Sequence, residues 1–71
     1  MKFLITGGFG YVGGRLARHL ASSGHEVFIG SRTFQTKPSW LVKGSIIVMN
    51  WGDERNLLNA CKNIDVIFHA A

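Results

Sequence analysis

The chain has 71 residues, 46% hydrophobic and 17% charged, without repeats or low-complexity tracts, the composition of one globular unit near the lower size limit for a self-sufficient core. Its net charge of +4 comes from eight basic residues scattered between Lys2 and Lys62, a distribution that fits a solvated surface and argues against a nucleic-acid stripe. No apolar run approaches the roughly 20 residues of a membrane span, and no cleavage signal precedes the first apolar run, so neither an anchor nor a signal peptide is read.

Residues 2–6 are short, apolar and bounded by glycine, which predicts a central strand of a parallel sheet. Thr6-Gly7-Gly8-Phe9-Gly10-Tyr11-Val12-Gly13 follows it directly. Gly7 and Gly10 allow a tight turn and a close approach of backbone to ligand, and Gly13 allows the following helix to pack near the strand. That helix carries Val12, Leu16 and Leu20 on one stripe, widened by Ala17 and Ala21, with Arg15, Arg18 and Ser22 outside it. Gly24 is placed as its C-terminal cap, and His25 lies at its negative end.

Val27-Phe28-Ile29 forms a second strand over residues 26–29, ending at Gly30-Ser31-Arg32. Residues 33–44 hold the only proline and mixed polarity, and read as a connection with one helical turn at residues 39–42. Residues 46–49 are a third strand. Asp53 caps a helix over residues 54–62, with Leu57, Leu58 and either Ala60 or Cys61 facing inward. Residues 66–68, Val66-Ile67-Phe68, are a fourth strand. Cys61 is the sole cysteine, which rules out an internal disulfide and favours a reducing cytoplasmic setting. His19 has no His, Cys or carboxylate at metal spacing beside it, so no metal site is expected.

Strands alternating with helical segments predict an α/β fold, a partial Rossmann fold with a parallel sheet of about four strands in the order 3-2-1-4 and helices on both faces. The first strand, glycine turn, helix and second strand make a βαβ unit of about thirty residues, the length of a dinucleotide-binding fingerprint. The first-turn N–H groups of such a helix face an anion, most often a dinucleotide pyrophosphate. A packing-only glycine turn is the competing reading. A P-loop is excluded, because no Gly-Lys-Ser or Gly-Lys-Thr follows the glycines.

The turn at Thr6 to Gly13 and the ending Asp65-Val66-Ile67-Phe68-His69-Ala70-Ala71 together resemble the N-terminal part of the extended short-chain dehydrogenase/reductase family, the NAD-dependent epimerases and dehydratases that often act on nucleotide sugars. The resemblance covers essentially the whole chain. It implies that Thr6, Gly7, Gly8, Phe9, Gly10, Tyr11, Val12 and Gly13 hold the cofactor, with Ala70 and Ala71 lying against it. An aspartate and an aliphatic residue that contact adenine in the family correspond here to Asn50-Trp51. An amide still donates and accepts, and Trp51 has a ring able to cover the adenine face or simply to pack.

At the end of the second strand an NAD site usually offers a carboxylate to the ribose 2′-hydroxyl, whereas a 2′-phosphate calls for arginine. Here Ser31 holds the carboxylate position and Arg32 follows, which favours NADP, with NAD the alternative. The family's catalytic Ser or Thr and its Tyr-x-x-x-Lys pair have no counterpart. Tyr11 is the only tyrosine, and Arg15 stands four residues after it. No catalytic residue is therefore assigned within residues 1–71, which read as the N-terminal portion of an NAD(P)-binding domain whose catalytic and substrate parts lie elsewhere. The expected partners are the dinucleotide and either the missing C-terminal half or a second copy at the open edge of the fourth strand. The alternative is a small nucleotide-sensing or adaptor module that accepts a partner strand at that edge.

Overall fold

The computed structural model describes residues 1–7 and 10–69. In chain order the elements are β1 (Lys2–Thr6), α1 (Tyr11–Ser22), β2 (Glu26–Ser31), β3 (Ile46–Val48), α2 (Glu54–Cys61) and β4 (Val66–His69). The four strands form one parallel sheet in the expected order β3-β2-β1-β4. β1 is central, with Phe3 opposite Val27 on one side and Val66 on the other, and Leu4 and Ile5 are fully buried.

Alternation along the strands divides the core between the two faces. Ile5, Val27 and Ile29 meet Ala17 of α1 on one face, with Leu16 and Leu20 packed alongside. Leu4 lies on the other face with Met49 and with Ala60 of α2, flanked by Phe28, Ile47, Leu57 and Ile64. Helices thus cover both faces, the arrangement that right-handed crossovers impose on this strand order. Among the described residues no helix is long and apolar enough to cross a membrane.

Both helix boundaries follow from local chemistry. Gly24 adopts φ 86°, and the N–H groups of Gly24 and His25 donate to the carbonyls of Ala21 and Leu20 at 3.1 and 3.2 Å, the paired bonds of a Schellman motif. The Asp53 carboxylate accepts from the N–H groups of Arg55 and Asn56 at 3.1 and 3.3 Å, capping α2. Asp53→Ala should therefore cost about 1 kcal/mol, measured as a lower midpoint in urea; an unchanged midpoint would mean that α2 does not depend on its cap.

Several boundaries and faces differ from the sequence reading. Residues 39–42 form no helical turn. A hydrogen-bonded turn, Leu41 N–H to the Pro38 carbonyl at 3.1 Å, instead delivers Leu41 into the core at 1% exposure. With Trp40 it covers the α1 face of the sheet, the place a crossover helix would fill. Val12 is 67% exposed and Leu58 66% exposed, because Val12 lies in the first turn of α1 and Leu58 points away from the line of Leu57, Ala60 and Ile64. Of the two alternatives at the end of α2, Ala60 is buried and Cys61 is exposed. β2 runs on to Ser31 since Gly30 and Ser31 pair with Thr6 and with Ile47 and Val48. β3 stops at Val48, although Met49 N–H still reaches the Ser31 carbonyl at 2.7 Å.

Candidate functional site

Parallel strands bring the C-terminal ends of β1, β2, β3 and β4 to the same edge of the sheet, where doubly wound folds bind their ligands. At β1 the chain reverses through Gly7, at φ 74°, and the Gly10 N–H closes the turn on the Gly7 carbonyl at 2.9 Å. Gly10 is also the N-cap of α1 and supplies no side chain to its first turn, which contains no acidic residue. A Cβ on Gly10 would stand 3.3 Å from the Gly7 carbonyl oxygen, a tight contact. The resulting helix start has backbone donors and no competing carboxylate, which is the electrostatic requirement of an anion cradle. Gly13 is buried in α1 beside Ala17, and these two small residues let the helix lie close to the sheet.

The second part of the site is an open groove of about 560 Å³ lined by Arg32, Val48, Met49, Asn50, Trp51 and Gly52. It joins the end of β2 to the turn after β3. Asn50 holds that turn: its side-chain oxygen accepts from Gly52 N–H at 3.0 Å, its carbonyl accepts from Asp53 N–H at 3.0 Å, and its own N–H donates to Asn56 Oδ1 at 2.8 Å. Trp51 is 48% exposed, a large ring left at the groove wall. Arg32 is exposed, so its guanidinium is hydrated and available to an anion.

Arg32, Asn50 and Trp51, which the sequence places as separate contacts, thus line one groove. Ser31 does not line it; half-buried, its hydroxyl accepts from Thr33 N–H at 3.3 Å. Thr6 is 4% exposed, and its hydroxyl lies 3.4 Å from the Phe68 carbonyl and 2.6 Å from His69 Nδ1, so it is turned towards β4. Tyr11, 79% exposed, is bonded through its hydroxyl to the Arg15 guanidinium at 3.1 Å. It lines a separate cavity of about 470 Å³ with Arg15 and Arg18. Val12 faces solvent, as above. Gly8, Phe9, Ala70 and Ala71 lie outside the described residues. Sequence reasoning gave His69 no role of its own, although the register that sets it opposite Thr6 follows from pairing residue 66 with residue 3. Among the described residues no three His, Cys, Asp or Glu side chains converge.

The model of the NAD dependent epimerase/dehydratase family matches residues 3–71. The chain belongs to that family. Among relatives of this epimerase/dehydratase chain, an isoflavone reductase homolog from Lupinus albus is 35% identical over 75 residues, covering 93% of the chain and 24% of the relative. A solved structure of MoeE5 in complex with UDP-glucuronic acid and NAD superposes with a TM-score of 0.76 at 28% identity, covering 97% of the chain and 22% of that protein. TunA, an NAD-dependent NDP-hexosamine 5,6-dehydratase of tunicamycin biosynthesis, gives a TM-score of 0.67 at 29% identity over 99% of the chain and 23% of its own. The epimerase/dehydratase chain therefore spans about a quarter of the length of the relatives it matches.

Proposed function

We propose that this chain is the cofactor-binding segment of an NAD(P)-dependent epimerase, dehydratase or reductase, holding a dinucleotide across the edge where β1, β2 and β3 end. The observation that carries the reading is the single groove in which Arg32, Asn50 and Trp51 meet. In this reading the pyrophosphate lies on the Gly7–Gly10 turn and the first N–H groups of α1. The adenosine lies in the groove, with Trp51 against the adenine ring and Asn50 at its polar edge. Arg32 pairs with a ribose 2′-phosphate, so NADP is preferred to NAD.

The NAD bound to MoeE5 and the NAD dependence of TunA support the first part of this reading; the preference for NADP rests on Arg32 alone. A nucleotide sugar or related small molecule is the proposed substrate class. The hydride chemistry belongs to the dinucleotide when it is bound, and residues 1–71 supply binding and orientation. The residues that exchange a proton with substrate lie outside this stretch, since Tyr11 has no lysine four positions on.

Titrating the 15N-labelled chain with NADPH tests the placement. The amides of Gly7, Gly10, Gly14 and Gly52 and the Trp51 indole N–H should shift together with one saturation curve. Shifts confined to Arg15 and Arg18, or no shifts in a folded chain, would overturn it. One further observation favours a second reading: β4 pairs only with β1 among the described strands, and Ile67 and Phe68 on it are 50% and 38% exposed. Such an edge suits a module that accepts a strand from a partner, and slowed amide exchange in β4 on adding that partner would distinguish it.

A further inference from the structure

One polar side chain at the ligand edge of the sheet is left unused by the reading above. His69 is the last residue of β4, opposite Thr6 in register, and its Nδ1 stands 2.6 Å from Thr6 Oγ1. The Thr6 hydroxyl also lies 3.4 Å from the Phe68 carbonyl. A hydroxyl has one hydrogen, so the assignment that satisfies both contacts has His69 Nδ1–H donating to Oγ1 and the hydroxyl donating to the carbonyl. Because Thr6 is 4% exposed and sits at the head of the glycine turn, the imidazole is anchored on rigid backbone rather than on a loop.

The same imidazole also meets Trp51. The two rings are 6.0 Å apart between centroids and inclined at 76°, an edge-to-face contact of the favoured kind. The indole belongs to a turn between β3 and α2 and is half exposed. His69 is therefore a bridge from β1 to the groove wall.

Resting on the dinucleotide reading above, we infer that His69 is a positioning residue: held by Thr6, it fixes the Trp51 indole at the wall of the groove and so sets the affinity for the adenine end of the cofactor. A tryptophan held in place loses less rotamer freedom when a base packs on it, and that loss otherwise weakens binding. His69 acts through Trp51 and makes no chemical step of its own.

The test uses a Trp40→Phe background, so that Trp51 is the one indole in the chain. At one fixed pH, the Trp51 indole held against His69 should show a higher fluorescence anisotropy in this background than in the same background carrying His69→Ala. Equal anisotropy in the two proteins would overturn the contact.

NADPH affinity is then measured for His69→Ala, Trp51→Ala and the double variant. His69→Ala should weaken binding about three- to tenfold, the scale of one aromatic contact. The double variant should bind no more weakly than Trp51→Ala alone. Thr6→Val should give a smaller loss in the same direction. Losses that multiply in the double variant would overturn the inference and leave the dinucleotide reading intact. Failure of the unmutated chain to bind NADPH would instead overturn both. If alanine at residue 69 unfolds β4 by circular dichroism, His69→Asn, which keeps a nitrogen for Thr6 and loses the ring, completes the same cycle with the same expected outcomes.

Discussion

Gly44→Ala should lower the thermal midpoint of the chain by roughly 12–24 °C, the shift that about 3 kcal/mol produces in a domain of this size. Gly44 has φ 106°, in a region that side chains rarely occupy, and its ideal Cβ would overlap the carbonyl of Val27. That carbonyl has nowhere to go. Val27 is fully buried, is paired with Phe3 of β1, and donates its N–H to the Lys43 carbonyl at 3.2 Å. Relieving the overlap means pulling the 43–45 segment off β2, which also breaks the bond from Ile29 N–H to the Ser45 carbonyl at 3.0 Å. Backbone strain and overpacking together come to about 3 kcal/mol. For a chain of 71 residues with a stability of roughly 0.05–0.15 kcal/mol per residue, that is a large share of the total. Gly24→Ala is the matched control: φ is 86° there, but a Cβ meets nothing within 4 Å, so the cost should stay near 1 kcal/mol. Equal shifts for the two variants would show that the packing on Val27 is looser than described.

Arg32→Asp should weaken NADPH binding about 10- to 100-fold, the equivalent of the 1.5–3 kcal/mol that hydrogen bonds to a charged group contribute, while NADH affinity holds or improves. The sign follows from the two ribose positions. A 2′-phosphate loses a bidentate guanidinium and gains a repelling carboxylate. A 2′-hydroxyl gains an acceptor at the end of β2, the place where NAD sites carry one. Arg32 lies in the groove with Asn50 and Trp51, so the substitution changes charge at the site without disturbing the buried core. Calorimetry with both cofactors checks it, and equal losses for the two would remove Arg32 from the ribose site.

Much of this fold is legible because its local signals agree with its topology. The apolar run of β1, the glycine turn, the Schellman glycine and the Asp53 cap each act over a few residues, and each is found where the chemistry requires it. The strand order is that of the doubly wound pattern suggested by alternating strands and helical segments, and crossover handedness then assigns each connection to a face. Leu41 was not legible. It is buried by a turn after Pro38, in a segment without periodicity, and only the sheet beneath it makes that burial favourable. Val12 and Leu58 fit apolar stripes by spacing, yet lie where the sheet offers no cover, since spacing defines a helix face and not the extent of the surface opposite. In the candidate site, the turn from Gly7 to Gly10 and the place of Arg32 just after β2 follow from residue types and offsets. The convergence of Arg32, Asn50 and Trp51, and the bridge from Thr6 through His69 to Trp51, depend on strand register and on how the turn after β3 folds back.

The measurement that tests the central claim most directly is a calorimetric titration of the purified chain, shown to be folded by circular dichroism, with NADPH and then NADH. The groove at the ends of β2 and β3 predicts saturable one-to-one binding of both, tighter for NADPH. A folded chain that gives no binding heat with either dinucleotide over a range of temperatures would contradict the claim.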